Sequence, residues 1–479
     1  EYDKFIKKIK QKKNYYLYQL AFKYIPFIYK TEISLEYYGM AINKEKLLNL
    51  RIEFTKQHKE LENKIKSLLE DISEQEIEDF NLSSRQQLTN ILHKLKIPMK
   101  KTKKGNYKLD TNELKKFSNY HFQDKRINKT FEYLIQYYKT EKLLTSFYNE
   151  EHYKFDINNL IHPIIHINGA TKTGRNTSEK PNIQQLPREG FVKSMFISRD
   201  PANRCIIQSD HSQAELRVTA LISQDPNLIE VFEKGRDPYK EMCAKVWNKK
   251  LTQVTKDERQ TMKSIVLGTS YGLTAKGLAL GLEISTKKAE GVLLEFNKTF
   301  SKLENYQAYI RNMVLLYGYA IGLTFRKRRF PFIKLKQLNI PNIEMFKSIF
   351  NNLYNKVKNQ AINSPVQGST SDMLSLNFAV LYNKIVNENL DVYWINTVHD
   401  SVVFDVNNKD KNRVIELMNE NLLEIHPLIL EWLKMVYGDK YKLCPFKIDI
   451  AIGQNLGSYD EKNNPDGLKD ITPLTNIKK

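Results

Sequence analysis

An apolar run that ends in a dense group of charged residues is the feature that most constrains this chain. Residues 205–207 are Cys-Ile-Ile, which predicts a buried strand, and residues 209–217 follow with the sequence SDHSQAELR. Ser212 and Glu215 have the spacing of a capping box, and Leu216 begins an apolar stripe, so the same residues also predict a helix start. The charged residues therefore have two interpretations, an ordinary helix start or a functional site at the end of a strand.

The composition predicts a large folded protein with a polyanionic partner. A chain of 479 residues exceeds what one hydrophobic core usually serves, so two or three substructures around more than one core are expected. The 75 Lys and Arg exceed the 55 Asp and Glu, and the formal net charge of +20 favours nucleic acid over an anionic membrane as partner. Codon bias in an A+T-rich genome is the alternative explanation for the many lysines, and the abundance of Asn, Ile and Tyr is consistent with it.

Several function classes are disfavoured by what the sequence lacks. The three cysteines, Cys205, Cys243 and Cys444, form no CxxC pair, so neither a disulfide framework nor a zinc finger is indicated. No apolar run reaches the roughly 18 residues that suggest a membrane span, and no membrane partner is expected. The chain begins with Glu1 rather than Met, so it is expected to be a piece of a longer product.

Apolar periodicity predicts a helical first region followed by mixed segments. The first 150 residues are basic, and helical spacing occurs at residues 44–69, 80–95 and 130–144. Short β-like runs follow at residues 164–167, 191–197 and 204–209. The remainder predicts a helical block at about 212–320, helices at about 345–388 and a strand-turn-strand segment at 392–406.

The segment TKDERQTMKSIVLGTSYG, residues 255–272, predicts a helix with a distinctive face. Thr255 and Glu258 form a capping box, so the helix should begin at about residue 256. Four side chains at four-residue spacing line one face: Arg259, Lys263, Leu267 and Tyr271. Two cations followed by an apolar and an aromatic side chain suit a ligand with a phosphate tail and a flat ring. An amphipathic helix with two exposed cations is the alternative.

The segment WINTVHDSVVF, residues 394–404, predicts a hairpin with apolar arms. His399 and Asp400 fall at its turn, where an aspartate is usually turn chemistry. Asp210 at the end of the earlier strand gives a second interpretation, because Mg²⁺ takes oxygen ligands and is usually held by one or two carboxylates plus substrate phosphates. Two ions about 4 Å apart can activate an attacking oxygen and stabilise a leaving one in phosphoryl transfer.

Six segments, in this order along the chain, together resemble the motifs of the family A (DNA polymerase I-like) DNA polymerases. They are FNLSSRQQL (80–88), TGRNTSEKPNIQQLP (173–187), DHSQAELR (210–217), RQTMKSIVLGTSYG (259–272), AINSPVQGSTSD (361–372) and VHDS (398–401). The segments at 210–217, 259–272 and 398–401 resemble the family's motifs A, B and C. The resemblance extends over residues 30–462, approximately.

This resemblance implies an α+β fold, the right-hand polymerase, with a palm built on an antiparallel sheet, helical fingers and a helical thumb. Its implied divisions are a connector (1–35), the thumb (36–160), a first palm part (161–211), the fingers (212–352) and a second palm part (353–479). Only about 35 residues precede the thumb, so this chain is expected to lack a proofreading exonuclease.

The resemblance also implies the reaction, which is template-directed addition of dNTPs to a primer 3′ end by a two-metal-ion mechanism. Asp210 and Asp400 would hold two Mg²⁺ ions, for which Mn²⁺ could substitute. Arg259 and Lys263 would hold the triphosphate, and Lys263 would donate a proton to pyrophosphate.

The remaining implied roles concern the incoming nucleotide and the DNA. Glu215 would be the steric gate that occupies the space needed by a ribose 2′-OH. Other dNTP contacts would come from Leu267, Tyr271 and His399, with His399 near the primer end. Contacts with primer-template DNA would come from Arg175, Gln184, Asn363 and Gln367.

The chain departs from the family motifs at several positions. Ser401 stands where motif C has Glu, which removes a third carboxylate. Leu267 stands where motif B has an aromatic residue, and His211 stands where motif A has Tyr.

Two alternative functions stay open on the sequence alone. A single-subunit RNA polymerase has a motif resembling VHDS, but Glu215 within the full motif A pattern favours deoxynucleotides. A non-catalytic, polymerase-like DNA-binding module would explain the loss of the motif C Glu, but both aspartates and both triphosphate cations are retained. We expect a monomer with a helicase or primase partner. The Lys- and Asn-rich composition is similar to that of proteins from A+T-rich protozoan genomes. Because the family that the chain resembles includes plastid (apicoplast) replicases of malaria-type parasites, the resemblance implies an intracellular location in that organelle, and bacteriophage and bacterial origins stay open.

Overall fold

The computed structural model describes residues 24–73, 80–102, 105–167, 173–187, 191–270, 273–282, 284–330, 343–398 and 400–472. Its first helices are α1 (Ile25–Glu32), α2 (Ser34–Tyr38), α3 (Lys44–Ser73), α4 (Arg85–Lys94), α5 (Thr111–Ser118) and α6 (Lys125–Ser146). The middle of the chain contributes α7 (Ala214–Ser223), α8 (Pro226–Glu233), α9 (Pro238–Val246), α10 (Lys256–Ser270), α11 (Ala275–Leu282), α12 (Thr286–Thr299) and α13 (Ser301–Tyr317). The later helices are α14 (Ile343–Ile349), α15 (Asn351–Asn387), α16 (Lys411–Asn421) and α17 (Pro427–Tyr437).

The strands are mostly short. They are β1 (Met40–Ile42), β2 (Leu160–Ile161), β3 (Ile164–His166), β4 (Thr177–Glu179), β5 (Phe196–Ile197), β6 (Arg204–His211), β7 (Tyr319–Ile321), β8 (Lys327–Arg329), β9 (Val392–Val398), β10 (Ser401–Asn407), β11 (Ile448–Gly453) and β12 (Lys469–Asp470). Short 3₁₀ helices lie at Glu150–His152, Ile183–Gln185, Val192–Met195, Leu251–Gln253 and Gly438–Lys440.

A five-stranded antiparallel sheet is the centre of the fold. Its strand order is β12-β11-β6-β10-β9, so β6 lies between β10 and β11. The apolar run at residues 205–207 is buried within β6, as the sequence predicts. Strand β10 pairs antiparallel with both β9 and β6, so the turn between β9 and β10 lies at the C-terminal end of β6.

The described residues form two hydrophobic cores, which confirms the expectation from length. The main core joins the sheet to α7, α15 and α17, and α15 is apolar over most of its surface because it packs against α1, α7, α13 and α16. A second core lies between the end of α3 and helices α4, α5 and α6, with Phe117 and Phe131 at its centre. This second core falls within the region that the resemblance assigns to the thumb.

Most predicted elements are present with small shifts of their ends. The helix expected over residues 44–69 is Lys44–Ser73, and the one expected over 130–144 is Lys125–Ser146. The strand expected over 191–197 is wrong for most of its length. Phe191 has a left-handed φ of +59°, and a 3₁₀ helix follows it, so only Phe196–Ile197 are extended.

The structure also bears on the expected connector, on the cysteines and on the expected absence of a membrane span. Residues 25–35, expected to be part of a connector, are instead largely helical, and Ile28 and Leu35 are buried in the main core. The three cysteines are free and buried. Among the described residues, no helix combines the length and the apolar character that crossing a membrane requires.

Candidate active site

Asp210 and Asp400, separated by 190 positions in sequence, lie next to each other at one end of the central sheet. Asp210 is opposite Ser401 in the β6–β10 register. Asp400, at the hairpin turn, immediately precedes Ser401 and therefore lies next to Asp210. The backbone N–H of His211 donates to the backbone oxygen of Asp400 at 3.0 Å, which ties the turn to the strand end. The sheet therefore brings together the two aspartates that the sequence singles out.

A cavity of about 470 Å³ opens over these aspartates. Its floor is formed by alternate residues of the strands, Gln208 and Asp210 on β6 and Ser401 and Val403 on β10, which share one face of the sheet. Its other lining residues are Ile183, Gln184, Gln185, Leu186, Lys193, Asn396, Val398, Asp400 and Leu456. The cavity is thus polar on the side where the carboxylates lie.

The surroundings of Asp400 disfavour its ionised form. The pKa of Asp400 is raised to about 6, chiefly by burial and secondly by the nearby Glu215 carboxylate, while Arg175 opposes both effects. Asp210 is exposed toward solvent. Carboxylate oxygens around this cavity are hard donors of the kind Mg²⁺ prefers, and a cation would relieve the cost of ionising Asp400.

The donor set fits a metal that is completed by its substrate. Among the described residues no group of three or more His, Cys, Asp or Glu side chains is arranged to hold an ion. Two carboxylates with substrate phosphates and waters are nevertheless a usual environment for Mg²⁺. Asp210 and Asp400 are therefore the residues that would hold a divalent ion.

Glu215 faces Arg175 rather than capping its own helix. An Arg175 guanidinium nitrogen pairs with Glu215 Oε1, and burial raises the pKa of Glu215 while Arg175 lowers it. The capping box predicted for Ser212 and Glu215 is wrong. The Ser212 hydroxyl donates to Asp449 instead, and the N-cap position is Gln213, with a left-handed φ of +53° and no side-chain cap.

The segment that carries Arg175 and Gln184 is held against the hairpin and α15. Gln184 is buried, and its Nε2 donates to the Thr397 backbone oxygen at 2.6 Å. Ser371 Oγ of α15 donates to the Gly174 backbone oxygen at 2.9 Å. The predicted DNA contacts of α15, Asn363 and Gln367, precede Ser371 by two turns and one turn, so they share the helix face that meets this segment.

Helix α10 presents the predicted triphosphate cations. It begins at Lys256, and the reciprocal bonds between Thr255 and Glu258, at 3.0 and 3.1 Å, confirm the predicted capping box. Arg259 Nε contacts Asp237 Oδ2 at 2.6 Å.

The rest of the predicted face is only partly described. Lys263 is half-buried, and Leu267 is 48% exposed. The described residues that line the cavity over the aspartates include none from α10. Tyr271 and His399 lie outside the described residues.

Three polar residues around the site escape sequence reasoning. Asp449 on β11 is the register partner of Asp210, which no local pattern could reveal. Asp237 caps α9 in addition to pairing with Arg259, and the sequence Asp-Pro at 237–238 was a readable helix-start signal. Glu32 is fully buried and accepts from Asn176 Nδ2 at 2.7 Å, beside Arg175.

Comparison with known proteins identifies the family to which this chain belongs. A family model described as DNA polymerase family A matches residues 51–458. A DNA polymerase I of Caldicellulosiruptor bescii is 30% identical over 425 residues, which cover 85% of this chain and 45% of that protein. A DNA polymerase of Bacillus phage SP01 is 26% identical over 516 residues, covering 92% of this chain and 53% of that protein. The chain thus spans about half the length of these curated relatives.

A solved structure shares the fold. It is the POL domain of Pol1 from M. smegmatis in complex with DNA primer-template and dNTP, with a TM-score of 0.71 and 23% sequence identity. The match covers 91% of this chain and 70% of that one. This likeness confirms the predicted α+β right-hand polymerase fold.

Proposed function

This chain belongs to DNA polymerase family A, and from that membership we propose that it adds deoxynucleotides to the 3′ end of a DNA primer on a DNA template. The observation that carries the proposal is the convergence of Asp210 and Asp400 at the end of β6, where both line a polar cavity. The primer-template and dNTP bound by the M. smegmatis POL domain support the same substrates here.

The proposed roles come from the motif matches, and the positions of Asp210, Asp400 and Glu215 support those assigned to these three residues. Asp210 and Asp400 would hold two divalent ions, Mg²⁺ in the proposal, which supply Lewis acidity to the attacking hydroxyl and the departing pyrophosphate. Arg259 and Lys263 on α10 would bind the triphosphate, and Lys263 would transfer a proton to the pyrophosphate oxygen. Glu215 is held at the site by Arg175 and would exclude a ribose 2′-OH.

The DNA contacts proposed for Arg175, Gln184, Asn363 and Gln367 are supported by their common location. All four lie on the segment that follows residue 173 or on the α15 face that contacts it. Amide and guanidinium groups are suited to acceptors in the DNA minor groove, which A·T and G·C pairs both present. Leu267, Tyr271 and His399 remain proposed nucleotide contacts from the motif matches alone.

Primer extension is the experiment that tests the proposal. The purified chain is given a labelled DNA primer on a DNA template with Mg²⁺ and either four dNTPs or four NTPs. We expect extension with dNTPs, none without metal, and loss of extension in Asp210→Ala. Asp439→Asn is the matched control, because Asp439 is an exposed aspartate that contacts only Lys434 among the ion pairs of the described residues.

Each alternative function has its own result in this experiment. Stronger extension with NTPs would indicate an RNA polymerase. DNA binding without extension by the intact chain would indicate a binding module. Extension that survives Asp210→Ala would remove the metal assignment.

The oligomeric state, the protein partners and the location are further proposals, of which the Lys- and Asn-rich composition supports only the location. We propose that the chain acts as a monomer with a helicase or primase partner, and in a plastid. Co-localisation of a fluorescent fusion of the parent protein with a plastid marker tests the location.

A further inference from the structure

Three strands of the central sheet place a second aspartate beside Asp210. Asp210 on β6 is opposite Ser401 of β10 on one side and opposite Asp449 of β11 on the other. Residues directly opposite each other in antiparallel strands project from the same face, with Cβ atoms roughly 5 Å apart. Asp449 therefore projects from the same face of the sheet as Asp210 and Ser401, beside the cavity that those two residues line.

Ser401, Asp210 and Asp449 form a row across three neighbouring strands, and Ser401 contributes no charge to it. Its side chain is 3% exposed, and its hydroxyl donates to the backbone oxygen of Val398 at 3.0 Å within the hairpin. The motif C position that carries Glu in the family therefore contributes a hydroxyl committed to the turn. The row has one carboxylate on each of β6 and β11 instead.

Asp449 is held in place but remains accessible. Its Oδ2 accepts from the Ser212 hydroxyl, its Oδ1 lies 4.0 Å from Lys447 Nζ, and its side chain is 46% exposed. Ser212 follows Asp210 by two residues, so this hydrogen bond draws the Asp449 carboxylate toward the end of β6. A side chain in this position can interact with a water or an ion above the floor.

Like charges opposite each other in a sheet destabilise it, and a cation between or above them removes that cost. We propose that Asp449 is a third carboxylate of the metal site and replaces, from β11, the charge that Ser401 does not supply. This proposal rests on the proposed function. Asp449 acts through the water shell of the ion held by Asp210 and Asp400, since no three His, Cys, Asp or Glu side chains among the described residues are arranged to ligate one ion directly.

Metal binding without DNA or dNTP tests this role. Free Mn²⁺ is measured by electron paramagnetic resonance during titration of the purified chain and of Asp449→Asn, and the Tm of each is measured without metal. Residues that act on a metal through its outer shell typically change affinity by 10–100-fold, so Asp449→Asn should weaken Mn²⁺ binding by about 10-fold. The same variant should raise the metal-free Tm, because the like-charge pair with Asp210 is gone.

Two further variants keep the result interpretable. Lys447→Ala removes a cation from Asp449 and should tighten Mn²⁺ binding by about twofold. Ser401→Glu combined with Asp449→Asn restores a carboxylate on the opposite neighbour of Asp210 and should recover part of the lost affinity. Unchanged Mn²⁺ affinity in Asp449→Asn, with Asp210→Asn weakening it, would overturn the inference and leave the proposed function intact. Unchanged affinity in both variants would overturn the metal site itself.

Discussion

The carboxylate floor, which we define as Asp210 and Asp400, and the cation helix, α10 with Arg259 and Lys263, are built in different ways. The floor is fixed by backbone hydrogen bonds of a central sheet, and burial raises the pKa of Asp400 to about 6. On the cation helix, Arg259 is about one-third exposed and already pairs with Asp237. One region is a rigid frame with unfavourable charge, and the other is a surface helix whose charge is partly neutralised.

This difference suggests how the two regions divide the reaction. Preorganised charge in a partly buried site has a large effect on a transition state, because little reorganisation is needed. An exposed ion pair has a small free energy and exchanges its partners readily. We therefore expect changes at the floor to abolish chemistry and changes at the cation helix to alter nucleotide affinity by smaller factors.

The largest expected effect is that of Asp400→Asn. The variant keeps the size of the side chain but loses the anionic charge that would hold a divalent ion, so the extension rate should fall by about 10³-fold or more. Steady-state primer extension measures it, with Asp439→Asn as the exposed control. A decrease of less than tenfold in the extension rate would contradict the claim that chemistry depends on the carboxylate floor more than on the cation helix.

A smaller effect is expected from Glu215→Ala, which opens the boundary of the floor. Removing the side chain that would exclude a ribose 2′-OH should raise ribonucleotide incorporation relative to dNTP by about 10- to 100-fold. Competitive insertion of one rNTP against its dNTP measures this ratio. Arg175→Ala removes the partner of Glu215 and serves as the comparison. An equal change in both variants would mean that the ion pair, and not the Glu215 side chain, sets the selectivity.

A pH effect is expected at Glu32, which is buried and accepts a hydrogen bond from Asn176. Burial raises the pKa of Glu32 from 4.5 to about 7, while hydrogen bonds from Asn176 and Ser375 oppose this change. The protonated acid is the favoured form in the folded protein, so its contribution to stability is complete below pH 4.5 and is lost as pH rises through 7. Glu32→Gln stays neutral and should therefore stabilise the protein at pH 8 but not at pH 4.5.

The size of this pH effect is at most about 3 kcal/mol in the free energy of unfolding. Thermal unfolding at the two pH values measures it, and Glu45→Gln on the exposed surface of α3 is the control. A Tm difference between Glu32→Gln and the unsubstituted chain that does not depend on pH would show that Glu32 is not a neutral acid in the folded protein.

The smallest effect is expected at the cation helix. Asp237→Asn retains an acceptor for the backbone N–H groups of Tyr239 and Lys240 but removes the charge that pairs with Arg259. Freed from this ion pair, Arg259 should bind triphosphate better and lower the KM for dNTP by about 2- to 5-fold. A raised KM would instead mean that Asp237 orients Arg259 for binding.

Local patterns predicted the parts of the site that local structure determines. Thr255 and Glu258 form their capping box because both partners lie within one helical turn. The apolar runs before Asp210 and around Asp400 predicted strand ends correctly, since strand periodicity is visible in a few residues. The same reasoning predicted α3 and α6, whose apolar faces are long.

Long-range pairings explain what sequence reasoning missed. Ser212 and Glu215 have capping-box spacing, but Asp449 takes the Ser212 hydroxyl and Arg175 takes the Glu215 carboxylate. Asp449 is 237 positions from Ser212, so only the register of β6 and β11 reveals this competition. Tertiary partners overrode a correct local motif.

Single-turnover nucleotide incorporation by rapid quench tests most directly whether the carboxylate floor controls chemistry and the cation helix controls nucleotide affinity. It separates the maximum rate of the chemical step from the apparent Kd for dNTP, and it should be applied to Asp210→Asn and Arg259→Gln. We predict that Asp210→Asn lowers the maximum rate by about 10³-fold or more, whereas Arg259→Gln mainly raises the dNTP Kd, by about 10-fold. If Arg259→Gln lost as much of the maximum rate as Asp210→Asn, chemistry would not be confined to the carboxylate floor, and the account would be contradicted.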